Sequence, residues 1–223
     1  MASRMTASQR RQQLLDVARE VFAERGYEAT SVEEVALRAK VSKPIVYEHF
    51  GGKEGLHAVL VDREMKALLD RVSSALEEGK PAVMLEQAAS ALLSYIEEEP
   101  EGFRLLVRDA PVGAASGTFA SLIGDIAIRV EHLLAAQFKL RGFDPKLAPL
   151  YSQALVGMVA QVGQWWLDNR RPSRTKVAAH LVNLAWNGLS RLEPEPMMKS
   201  RQKKPATAKE AKATVAKKLA TST

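Results

Sequence analysis

Apart from a few clusters of Gly and Pro, apolar residues recur along this chain at helical spacing, and no run alternates with period two. That pattern predicts an all-α fold of about nine helices. A first helix, about Ser8 to Arg25, carries Leu14, Ala18, Val21 and Phe22 on one face, and Gly26 is its natural stop. A second opens at Ser31, where Glu34 three residues on predicts a capping box, with Val32, Val35, Ala36 and Ala39 turned inward. The third is 41-VSKPIVYEHF-50 with Ser42 as N-cap, and the turn FGGKEG restarts a long fourth helix from about Lys53 to Glu78. Pro81 suits the first turn of a fifth helix ending near Glu98, and Pro100 separates it from a short sixth, Glu101 to Asp109. After PVGAASG a seventh holds Phe119, Leu122, Ile123, Ile126, Val130, Leu133, Leu134 and Phe138 in register, and Gly142 ends it. Asp144-Pro145 starts an eighth to about Asn169, and Pro172-Ser173 a ninth to about Leu192.

Two short helices joined by a tight turn, the second with an outward residue set, have the layout of a helix-turn-helix that enters the DNA major groove N-terminus first. Pro44 then has a reason: in the first turn its missing N–H breaks no internal bond, and it stiffens the end that meets DNA. Val46 and Phe50, four apart, face inward, which leaves Lys43, Ile45, Tyr47 and His49 on or near the outer side. Lys43 suits a phosphate or a guanine edge, Tyr47 a phosphate, His49 either, and Ile45 a thymine methyl. The helix start at Ser31 offers free N–H groups to a phosphate, and Lys53 adds a point charge. Glu48 alone sits against this pattern, unless it turns away or accepts from a cytosine amino group.

The stretch GYEATSVEEVALRAKVSKPIVYEHFGGKEGL resembles the DNA-binding region of the TetR family of transcriptional regulators. The likeness is carried by Phe22, Gly26, Ser31, Val35, Ala36, Ala39, Val41, Ser42, Tyr47, Phe50, Lys53 and Glu54, and the nine-helix layout is similar too. The resemblance implies a homodimer that binds a double-stranded, roughly palindromic operator, with recognition helices about one DNA turn, roughly 34–36 Å, apart. It implies a helix-turn-helix domain over residues 1–52, a helical effector-binding and dimerisation domain over 53–193, and repression as the usual outcome.

The ninth helix supports dimerisation on its own. Val177, Leu181, Leu184 and Gly188 form one apolar stripe, and Val182, Trp186 and Leu189 a second, so this helix needs two partners. On the eighth helix Ala154, Gly157, Ala160 and Gly163 recur every three residues, a line of small side chains that admits a close neighbour. In the family the last two helices form a four-helix bundle with their mates. Candidates to line an effector cavity are Tyr95, Phe103, Leu106, Phe119, Tyr151, Met158, Trp165 and Trp166, with Arg104, Arg108, Asp109 and Asp125 as polar candidates. Few charges lie among them, which favours an apolar or amphipathic effector of fatty-acyl or drug-like character.

Composition refines this picture. The net charge of +6 looks like a nucleic-acid signal, but residues 191–223 hold nine Lys/Arg and three Asp/Glu, which is the whole excess. The body of the chain is neutral and must bind DNA through local patches. Beyond Pro194 the Lys/Ala/Thr-rich text cannot offset the entropy of ordering itself, so residues 194–223 read as a basic disordered tail. There is no cysteine, no leader-like start and no apolar run of membrane-spanning length, so a cytoplasmic, non-membrane protein is expected. His49, His57, His132 and His180 are scattered and GGKEG lacks a phosphate loop's spacing, so no cofactor, metal or catalytic set is expected. Two rivals stay open: a helical binding protein with only loose, tail-driven DNA association, and a small all-α enzyme.

Overall fold

The computed structural model describes residues 5–77, 79–107, 119–194 and 196. Among them every regular element is helical: α1 Ala7–Ala29, α2 Val32–Arg38, α3 Lys43–Phe50, α4 Lys53–Ser74, α5 Pro81–Glu98, α6 Pro100–Val107, α7 Phe119–Leu140, α8 Ala148–Asn169 and α9 Arg174–Ser190. One compact unit takes in residues 1–188, and a second takes in 189–223. The basic tail beyond Pro196, Arg108, Asp109 and the PVGAASG loop lie outside the described residues.

Local chemistry sets most of the boundaries. α1 starts on a reciprocal box at Thr6 and Gln9, which the sequence pattern did not single out, and is broken at Gly26, where φ is +77°. At α2 only half of the expected box forms. Ser31 accepts from the Glu34 N–H at 3.2 Å, while the Glu34 carboxylate turns instead to Arg25 at 2.9 Å and Arg38 at 3.1 Å. Ser42 stands at the N-cap of α3 in an extended conformation without a side-chain bond, so Pro44 is what favours the start. Gly51 (φ +73°) ends α3, and Gly52 at φ +133° adopts a backbone that a side chain would strain.

α4 is a rod of 22 residues, about 33 Å long. Its buried positions Leu56, Leu60, Leu68 and Val72 run from the first three helices into the larger domain. It stops at Ser74, one turn short of the expected end. The eighth helix also starts later than expected. Asp144 accepts from the Lys146 N–H at 3.0 Å and caps a 3-10 turn, Pro145–Leu147. Pro149 has no N–H to continue from there, so the α-helix begins afresh at Ala148 with Pro149 in its first turn. His57, on α4, is edge-on to Phe22 and Tyr27 with ring centres 5.0 and 4.8 Å away. Burial, and secondly the Lys53 charge, pushes its imidazole down to about 4, so it packs as a neutral ring.

Candidate nucleic-acid interface and effector core

α2 and α3 are joined by Ala39 to Ser42, with the Val41 N–H donating to the Ala36 carbonyl at 2.9 Å. Lys40 takes the left-handed conformation there (φ +55°), a position where no glycine announces the turn. Val46 and Phe50 are buried as expected, and α3 packs on α2 and α4. The guanidinium of Arg11 on α1 lies 4.5 Å above the Phe50 ring, a cation–π clamp on the C-terminal end of α3. Sequence reasoning missed Arg11 because it is one of several arginines near the N-terminus, and only the α1–α3 crossing selects it.

The exposed side of α3 is arranged before any ligand arrives. Tyr47 is 47% exposed, and the Lys43 ammonium sits 5.6 Å from its ring while pairing with the Glu33 carboxylate of α2. Each member of that pair stabilises the other's charge: the hydrogen bond raises the Lys43 ammonium and lowers the Glu33 carboxyl from their ordinary values. Glu33 is the second residue that sequence reasoning missed. Lys53 donates to the Glu28 carbonyl at 3.1 Å and lies 4.4 Å over the Tyr27 ring. Ser31, Pro44 and Glu48 are exposed. Ile45 corrects the expected outer set, because it is half-buried and packed on the core, which leaves little of it to reach a thymine methyl. His49 is likewise half-buried, its ring 6.1 Å from that of Phe50.

Of the cavity candidates, Tyr95, Phe103, Leu106 and Phe119 come together. Phe103 is edge-on to Tyr95 at 6.4 Å and to Phe119 at 5.5 Å, and Met158 packs on the same core. Trp166 belongs to the same core, whereas Tyr151 and Trp165 do not join it. Tyr151 packs edge-on against Phe138 at 5.3 Å. Trp166 is buried, but its indole N–H donates to the Pro172 carbonyl at 2.8 Å, pinning the turn between α8 and α9. Trp165 is 50% exposed on a neighbouring face of α8. Adjacent helical residues point 100° apart, so one Trp of the pair had to face out. Arg104 is half-buried and lines an open cleft of about 530 Å³ with Arg19, Glu20, Ala23, Glu24 and Glu101; Asp125 is exposed.

Residues 14–60 match the family model for bacterial regulatory proteins of the tetR family, and residues 81–188 match the tetracyclin repressor-like C-terminal domain. The transcriptional activator FasR of Mycolicibacterium smegmatis is 31% identical over 84% of this chain and 86% of its own length. The chain belongs to the TetR family. The transcriptional repressor Rv3405c of Mycobacterium tuberculosis is 31% identical over 60% of this chain and 73% of its own length. A TetR-like regulator from Rhodococcus sp. RHA1 superposes with a TM-score of 0.72 at 28% identity, over 85% of this chain and all of that one. TetR regulators bind DNA operators and small-molecule effectors, typically as dimers, and are not enzymes; this chain is a ligand-responsive DNA-binding regulator of that kind. No described helix is long and apolar enough to cross a membrane.

The faces through which TetR subunits could pair need two corrections here. On α8, Ala154 and Gly157 are exposed, but Ala160 and Gly163 are buried in the single chain. A Cβ on Gly163 would come 2.9 Å from Ile96 Cδ1, so its smallness serves the α5–α8 contact within one subunit. On α9 the inner stripe is Val177, Ala178, Leu181 and Ala185, while Leu184 is 64% exposed and Gly188 also faces out. Ala185 takes the inward place on α9, and the bulkier Leu184 is turned outward. Val182 is half-buried and Trp186 37% exposed; Leu189 falls in the second unit.

Proposed function

We propose that this TetR-family regulator is a cytoplasmic homodimer that represses transcription from a roughly palindromic operator and is released by an apolar or amphipathic effector of fatty-acyl or drug-like character. Residues 1–52 serve as reading head and 53–193 as effector and dimerisation domain. The observation that carries the reading is Tyr47 and Lys43 held exposed on α3 beside the buried Val46 and Phe50 that anchor the helix. In this reading Lys43, Tyr47 and Lys53 take phosphates or base edges, Ser31 presents the N-terminal N–H groups of α2, and Pro44 and His49 border the groove. The Tyr95, Phe103, Leu106 and Phe119 cluster supports an apolar effector, because Glu64, the one buried carboxylate among the described residues, already has partners.

Selection of binding sites from random DNA by the full-length protein tests this. A two-fold symmetric site with half-sites about one helical turn apart, kept against excess random competitor, is the expected result. Repeating the selection with the chain ended at Glu193 separates head from tail. The same site should emerge, with a flatter dependence of log affinity on log salt, by about one unit of slope for each phosphate that the tail neutralises. If the truncated chain selects nothing, tail-driven association replaces this reading.

A further inference from the structure

Arg19, Glu64, Tyr95 and Glu99 meet where α1 crosses the larger domain. The Glu64 carboxylate, on α4, is almost wholly buried: it accepts from the Tyr95 hydroxyl at 2.6 Å, and Arg19 Nη1 is 3.7 Å from its other oxygen. Arg19 also donates to Glu99 at 2.6 Å, beyond the C-terminus of α5. Gly102 of α6 closes the site, since a Cβ there would lie 2.3 Å from Glu64 Oε2 and 2.9 Å from the Tyr95 hydroxyl. Burial, and then the bond to Glu64, pushes the Tyr95 phenol up, so it stays protonated and remains the donor.

Stability does not call for this arrangement. A buried ion pair is commonly no more stable than apolar residues of the same volume. Its geometry differs in another way. An apolar contact yields gradually when helices slide, whereas a directed network with no room beside it is either made or broken, which suits a two-state element. It also lies between two sets of contacts that α1 joins. On one side Tyr95 meets Phe103, which meets Phe119. On the other, Arg19 lies eight residues along α1 from Arg11, which holds Phe50 of α3.

We propose that the Glu64 cluster transmits effector occupancy to the reading head: displacement of Tyr95 and α6 loosens Arg19, and α1 carries the change to α3 through Arg11. This rests on the reading of Tyr95 and Phe103 as effector-lining. Arg19 and Glu64 are positioning residues in it and touch neither effector nor DNA.

The test uses the full-length protein, an operator selected by the wild type, and palmitoyl coenzyme A as probe. The wild type should lose operator affinity at least about tenfold with saturating probe, within the usual range of allosteric coupling. Arg19→Met and Glu64→Gln should lose less than about threefold, while calorimetry shows the probe still binding the free variants with wild-type affinity. Amide hydrogen exchange without probe gives a second readout: faster exchange in α1 around Arg19 and in α3, with α8 and α9 unchanged. Variants released by the probe as readily as wild type, or exchange that is unchanged or raised uniformly, overturn the proposal. A probe without effect on the wild type counts against the effector class, and the exchange readout then decides the inference by itself.

Discussion

On α3 the exposed side chains are polar or amphipathic and already held: Lys43 by Glu33 and the Tyr47 ring, Lys53 just beyond by Glu28 and the Tyr27 ring. On α8 and α9 the exposed side chains include Leu150, Trp165, Leu184 and Trp186, which water cannot satisfy. A surface built for phosphates can wait in water, because binding exchanges one set of polar partners for another. An apolar surface carries its hydration cost until something covers it, which is why large exposed patches mark interaction sites. The two faces should therefore respond differently to substitution.

The largest effect is expected from the apolar face. Leu184→Glu combined with Trp165→Glu should weaken the dimer about a thousandfold, two side chains that pairing would bury at about 2 kcal/mol each, as read by sedimentation velocity. Operator binding should fall with it. A folded variant that stays dimeric would break the contrast, because these side chains would then face water for some other reason. Next comes Tyr47→Ala, expected to lower operator affinity at least tenfold, about 1.4 kcal/mol or more, with dimer and melting temperature unchanged. Wild-type affinity in a gel-shift titration would show that α3 is not the reading helix.

Smaller effects sharpen the comparison. Gly163→Ala drives a methyl against the buried Ile96 side chain and should cost about 1–3 kcal/mol of stability, visible as a lower thermal midpoint without a weaker dimer. A weaker dimer at unchanged stability would place Gly163 between subunits after all. Glu33→Gln frees Lys43 and removes a negative charge from the groove-facing side, so operator affinity should rise by about threefold, a surface-pair effect. In a Lys43→Met background the same substitution should do less, and an equal gain in both backgrounds would mean that Glu33 acts through its own charge and not through the pair.

Wherever a single residue type forces the backbone, the chain text and the structure agree closely. Pro81 to Glu98 forms the fifth helix as expected, Gly26 and Gly142 carry the positive φ of helix stops, and Val46 with Phe50 faces in because four residues nearly complete a turn. Those are short-range constraints, written in one stretch of sequence. Other features depend on what lies opposite. Periodicity points an apolar stripe in a general direction, but whether Leu184 or Ala185, Trp165 or Trp166, meets the core depends on how the helix is rotated against the rest of the fold. Lys40 turns left-handed without a glycine, and Arg11 finds Phe50 only through the crossing of α1 and α3. Nothing in its own stretch of sequence singles out Glu64, yet Arg19, 45 positions earlier, and Tyr95, 31 later, converge on it in the interior. Helix identity and the glycine stops at Gly26 and Gly142 are legible in the chain because they are set within a turn or two of backbone. The tertiary structure alone decided which charges and rings meet, because a side chain's environment is fixed by residues far away in the chain.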